Sequence, residues 1–174
     1  MLHEYNGADT IDVSDSAATF EEIYKKPYIP KEYEQDIRNA DILFLPQEKF
    51  RDRDVNSFPE CTREFYSYFS DQIKGEVFNV EICASDEDFQ RLELHDEVIN
   101  IPLILLTSTA LPIVVNLISS FLYDKLKNRN KSDADANIEL IVEKKGKSKT
   151  IHYKGSISGF ERAMKSIENS MFDD

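Results

Sequence analysis

The sequence predicts a single layered α/β (α+β) domain: a mixed sheet of about five strands, three main helices, and a C-terminal β-hairpin followed by a helix. Three observations predict it. The 174 residues are 41% hydrophobic and include 11 Phe and 8 Tyr, enough for one core. Apolar or alternating runs take turns with stretches of helical period, in the order β-α-β-turn-β-α-β-β-α. Two alternating segments near the end are joined by a glycine-containing turn, Lys145-Gly-Lys-Ser148. This composition excludes a chain disordered throughout, and a collagen-like one.

Residues 1–18 are acidic, small and without apolar period, and read as a flexible tail that orders only when something docks on it. The domain is then 19–174. Phe20, Ile23 and Tyr24 have helical spacing, and Pro27 and Pro30 stop the helix. The run from Asp41 to Pro46 reads as a buried strand, and residues 47–56 as a charged loop. Ser57-Phe-Pro-Glu60 has the form of a capping box, opening a helix that buries Cys61, Phe65, Phe69 and Ile73 and closes at Gly75. Residues 76–83 alternate as a half-buried strand, and 85–88 open one helical turn around Phe89 and Leu92.

From Val98 to Tyr123 there is no charge. One reading is a buried strand over 98–106 and a helix over about 110–127, with Ser108 or Thr109 as N-cap and Pro112 in the first turn. Pro112, Asn116, Ser119/Ser120 and Tyr123 would form its polar stripe. The alternative is a single membrane span from Ile101 to Tyr123, with the following Lys125, Lys127, Arg129 and Lys131 on the cytoplasmic side. The prolines, and the need to move an acidic region of about 97 residues across a bilayer, favour the buried reading. Ile138, Leu140 and Val142 give the hairpin one buried face. Ser158-Gly-Phe-Glu161 reads as a second capping box, opening a helix with Phe160, Met164, Ile167 and Met171 on its stripe.

Charge narrows the function. The net charge is −12, but residues 1–97 carry 24 acidic against 10 basic side chains and residues 98–174 carry 9 against 11. A whole-surface grip on nucleic acid or an anionic membrane is therefore disfavoured. The basic tip of the hairpin, Lys144, Lys145, Lys147 and Lys149, is the candidate contact for an anion or a partner, with Tyr153 nearby to stack on a base. Cys61 and Cys83, with no signal peptide at the start, point to a reducing, cytoplasmic location; for a span it would be the inner membrane.

No catalytic, cofactor-binding or metal-binding set is read. Asp86, Asp88, Gln90 and Glu97 fall at positions 1, 3, 5 and 12 of a calcium loop, but position 6, where the turn needs glycine, is Arg91. A looser site of these carboxylates with His95 is the one metal-dependent enzyme reading kept. Glu48, Asp52 and Asp54 read as a charged loop, and His152 as a strand-face residue. No cysteine–histidine pair is close in sequence, which leaves Cys61/His95 and Cys83/His152 as the pairings a fold would have to make. The sequence points to a non-enzymatic protein that binds another protein, with a homo-oligomer as the other partner it allows; contact is expected at the tail, the 47–56 loop and the polar stripe of helix 110–127.

The run Pro102-Leu-Ile-Leu-Leu, then Ala110-Leu-Pro-Ile-Val-Val-Asn-Leu-Ile-Ser-Ser-Phe-Leu, the basic stop, and the hairpin with its last helix resemble the effector-associated constant component family of bacterial conflict systems. The resemblance covers residues 102 to about 167. It implies a small α/β pattern and an accessory role beside variable effectors.

Overall fold

The computed structural model describes residues 2–5, 9–48, 57–74, 77–85, 91–92 and 98–172. Its centre is the hairpin of β9 (Asp135–Lys144) and β10 (Lys147–Ser156), ten residues each, paired antiparallel in full register from Lys147↔Lys144 to Ser156↔Asp135. Around it the sheet runs β1 (Leu2–Tyr5), β2 (Asp9–Ser16), β10, β9, β8 (Leu103–Thr107), β3 (Ile42–Leu45), β5 (Val80–Ile82). β7 (Ile99–Asn100) also pairs with β9, upstream of β8, which makes eight strands in the sheet rather than about five. A separate short pair joins β4 (Phe58–Pro59) to β6 (Arg91–Leu92). The α/β class holds.

The strand expected over 98–106 is broken where Pro102 can donate no ladder hydrogen bond, which separates β7 from β8. β9 lies in mid-sheet, and Ile138, Leu140 and Val142 form the expected buried face; on the other face Ile141 is buried too, while Glu139 is exposed. The first face packs under α3 (Thr62–Ile73), α4 (Leu111–Asn128) and α5 (Phe160–Glu168); the second packs under α1 (Phe20–Tyr24) and α2 (Glu34–Arg38). The result is three layers, with the sheet between unequal helical covers.

α4 accounts for the uncharged run. Leu111, Val114, Val115, Leu117, Ile118, Phe121, Leu122 and Leu126 are buried, while Pro112, Asn116 and Tyr123 are exposed. Among the described residues no helix is long and apolar enough to cross a membrane. Ser119 is 3% exposed and so lies off the expected polar stripe, which Ser120 continues instead. The cap is also displaced: Ser108 and Thr109 belong to a 3-10 turn and the N-cap is Ala110. At the other end Asn130 takes φ 54°. Lys131 N then bonds Leu126 O at 3.0 Å and Asn130 N bonds Lys127 O at 3.2 Å, a Schellman closure made without glycine.

Neither capping box forms. Ser57 bridges to Gln47 and Phe58–Pro59 is strand, so α3 starts at Thr62 with Cys61 as an N-cap whose side chain makes no cap bond. Before α5 it is Ser156, not Ser158, that accepts from Gly159 N, at 3.1 Å; Ser158 donates to Asp133 instead, at 2.5 Å. The expected stripes themselves are buried: Phe65, Phe69 and Ile73, then Phe160, Met164, Ile167 and Met171. Leu92 lies in β6 rather than in a helical turn.

The largest correction concerns the tail. Asp9–Ser16 is β2, paired with β10 from Lys154↔Thr10 to Ser148↔Ser16, so residues 9–16 of the segment read as flexible belong to the sheet. Its anchor is polar: Asp9, 3% exposed, accepts from Ser156 N and from Ser156 Oγ, each at 2.8 Å. Ile11, fully buried, adds the apolar half. An acidic, small-residue composition hides a strand whose alternation is carried by Asp9, Ile11 and Val13 alone.

Candidate functional site

Among the described residues strand β5 ends the sheet, at the end away from β1, paired in parallel with β3 through Val80↔Ile42 and Ile82↔Phe44. Asn79 O accepts from Ile42 N at 3.1 Å and Cys83 N donates to Phe44 O at 2.9 Å. In a parallel ladder alternate residues bond the same neighbour, so Asn79, Glu81 and Cys83 face β3. Val80 and Ile82 therefore turn their N–H and C=O groups to the outer edge.

Two elements bracket that edge. On the first face, Phe65 and Phe69 of α3 clasp Phe44, with ring centroids 5.3 Å away in each case, which fixes the helix against β3 and β5. Tyr66, one residue round the helix, sits edge-on to Phe44 and donates its hydroxyl to Val80 O at 3.4 Å. Arg63 and Ser67, one helical turn apart, line the same surface. On the second face, the 3-10 turn Lys31–Tyr33 that follows Pro30 presents Tyr33, 39% exposed. Between them is a cleft of about 390 Å³ lined by Tyr33, Arg63, Tyr66, Glu81, Ile82 and Ser85, among others.

Glu81 gives this cleft its charge. Burial, and then the nearby Asp36 carboxylate, raise its pKa above the ordinary carboxylate value, and a hydrogen bond from Tyr66 offsets part of the rise. Tyr66 is pushed up as well, first by burial and then by Glu81. The site thus brings together Tyr33, Tyr66, Arg63 and the Glu81 carboxylate, beside outward-facing backbone groups.

The hairpin lysines do not converge. Lys147 stands opposite Lys144, Lys145 forms the turn, and Lys149 is ion-paired with Asp15, whose pKa its ammonium lowers. Lys144 lies over the Phe172 ring, 5.8 Å from its centroid. Only Lys147 and Lys149 line the adjoining cleft of about 480 Å³, together with Asp15, Ser148 and Phe172. Tyr153 is fully buried under Phe160 and donates to Ser156 O at 2.6 Å, so it stacks on no base.

His152 is an exposed strand-face residue whose Nε2 is 2.6 Å from Asn137 Oδ1; Asn137 in turn donates to Asn100 at 3.2 Å. Cys83 follows β5, four strands from His152, roughly 19 Å at ordinary strand spacing. Burial pushes the Cys61 thiol up to about 11 and the Cys83 thiol up to about 12, which leaves both as thiols rather than nucleophilic thiolates at neutral pH.

Residues 86–90 and 93–97, which hold the Asp86, Asp88, Gln90, His95 and Glu97 cluster, lie outside the described residues, as do 49–56 with Asp52 and Asp54. Glu48 pairs with Lys26 at 3.1 Å. Among the described residues no group of three metal-ligating side chains occurs. No protein-family model, curated protein or solved structure matches this chain.

Sequence reasoning did not single out Tyr33, Arg63, Tyr66 or Glu81. A partial signal existed: Tyr66 and Tyr68 flank the Phe65–Phe69 stripe, where a helix turned wholly to core or solvent has little use for them.

Proposed function

We propose that this protein is a non-enzymatic interaction module, an accessory component that docks another protein in the cleft between α3 and the β5 edge. The observation that carries the proposal is the make-up of that cleft. Tyrosine and arginine dominate the energetics of protein–protein contacts, because they bury large rigid area while keeping a polar end, and here they surround an open strand edge. Val77, 89% exposed and three residues ahead of β5, adds apolar surface at the same end. The resemblance of residues 102–167 to the effector-associated constant component family supports an accessory role beside an effector in a bacterial defence-type system. The two thiols, held protonated by burial, argue against cysteine chemistry.

Site-specific photo-crosslinking in the source cell tests the proposal. A photoreactive amino acid at position 33 or 67 is expected to trap one discrete partner band, and the same group at Lys145 is expected not to. Equal adducts from all three positions, or none from 33 and 67, would overturn it.

A further inference from the structure

We infer that the partner's contact segment is an extended peptide that adds to β5 as a further strand and directs a lysine or arginine toward Glu81. The inference rests on the interaction reading above and deepens it.

Three features on the page lead to it. Backbone comes first. The alternation set by Asn79 and Cys83 turns the Val80 and Ile82 peptide groups outward, and an extended chain is the one partner that can meet such groups at ladder spacing. The Val80 carbonyl is already met by Tyr66 at 3.4 Å, so the Ile82 N–H and C=O are the groups an added strand would pair.

Shape comes second. β5 is three residues long, so backbone pairing alone would be weak and the side-chain cleft must supply the rest. Successive side chains of a strand point to opposite faces. An added strand would therefore send one side chain toward Tyr66 and Ile82 on the α3 side and the next toward Tyr33 and Glu81 on the α2 side.

Charge comes third. Glu81 and Asp36 repel one another across the second side, and residues 1–97 as a whole carry 24 acidic against 10 basic side chains. A cation placed beside Glu81 relieves that repulsion, while an acidic side chain there would add to it. Tyr66 and Ile82 line the α3 side of the cleft, which suits the neighbouring position of the added strand to a β-branched or aromatic residue. The recognised segment thus alternates: apolar or aromatic toward α3, basic toward α2.

A random octapeptide library displayed on phage, selected on the full chain, is the probe. The expected result is a consensus of β-branched or aromatic residues alternating with one Lys or Arg. Binding of the selected peptides should fall at least tenfold with Glu81→Gln, an isosteric change that keeps the fold. It should fall as much when one peptide backbone amide is N-methylated, a change made outside the protein. A consensus without a basic position, insensitivity to N-methylation, or no enrichment would each overturn the strand-addition inference. Position-33 crosslinks obtained alongside those failures would leave the interaction reading standing, so the two fail separately.

Discussion

Asp9 is a carboxylate held 3% exposed, and it stays satisfied because Ser156 offers both its N–H and its hydroxyl. Two glycines make room for it. A Cβ on Gly155 would come within 2.7 Å of the Asp9 Cα, and one on Gly159 would press on the Asp9 carboxylate and on the Tyr153 hydroxyl at 2.9 Å. Gly155→Ala and Gly159→Ala are each expected to cost about 1–3 kcal/mol by overpacking, and Asp9→Ala about 1.5–3 kcal/mol through the lost charged hydrogen bonds. The pairs should behave differently in urea denaturation. Asp9→Ala removes the carboxylate that obstructs a Cβ at 159, so that double mutant should cost less than the sum; at 155 the obstruction includes backbone, and the costs should add.

Cys83 makes a second prediction at this scale. The unfolded chain releases this thiol's proton near 9.0 and the folded chain only near 12. Between those values the folded state holds more protons, so stability falls as pH rises, by ~1.4 kcal/mol per pH unit for this group. Urea midpoints at pH 8 and pH 10 should show the decline, and Cys83→Ala should make it shallower.

At the scale of elements, the β9–β10 turn is the sharpest case. Lys145 has φ 52° and Gly146 φ 81°, the two left-handed central positions of a type I′ hairpin. A Cβ on Gly146 would touch nothing within 4 Å, so Gly146→Ala is a backbone test free of packing: it should cost about 1 kcal/mol, and Lys145→Asn should gain a few tenths or more, read by thermal melting. α4 supplies the contrasting test. Asn116→Lys on its exposed face should leave stability within about 0.5 kcal/mol, whereas Ile118→Lys, at a fully buried position, should abolish the cooperative transition.

These elements also show what the sequence made legible. Period and apolar content were enough for α3, α4, α5, β3 and the hairpin, because burial enforces those patterns residue by residue. Caps were misread, since the Ser57 backbone pairs with Gln47 and the next residues run on as strand, and the Ser158 hydroxyl donates to Asp133 rather than capping the local helix end. β2 was missed because its anchor is a carboxylate. The cleft was invisible for a different reason: Glu81 and Tyr66 are ordinary on a strand and a helix, and become a site only because β5 ends the sheet, a fact of topology that no local window holds.

For the whole molecule, the N-terminal strand is structural. A chain beginning at residue 19 loses Ile11 from the core and Asp9 from beneath Ser156, and uncovers the outer edge of β10. It should melt well below the full chain or aggregate, and light scattering during a thermal ramp would show which. An unchanged melt would restore residues 9–16 to the status of a tail. The uneven charge has a molecular counterpart as well: β5, with Glu81 and Asp36 near it, and the lysine hairpin stand at opposite parts of the sheet, so an approaching partner of mixed charge would meet the two with opposite preference.

Asp9 and Ser156 are 147 residues apart, and the hairpin strands on which β2, β8 and β7 settle, β10 and β9, are made late in the chain. At ribosomal speeds of ~5–20 residues per second, about 7–30 s pass between the emergence of β2 and that of the strand it pairs with. By the end of that interval the nascent chain carries α1, α3 and α4 with no completed central hairpin to pack against. The β9–β10 hairpin, made after the helices that pack on it, is therefore the segment that closes the fold, and a chaperone that meets this protein during synthesis encounters apolar faces that the finished molecule never shows.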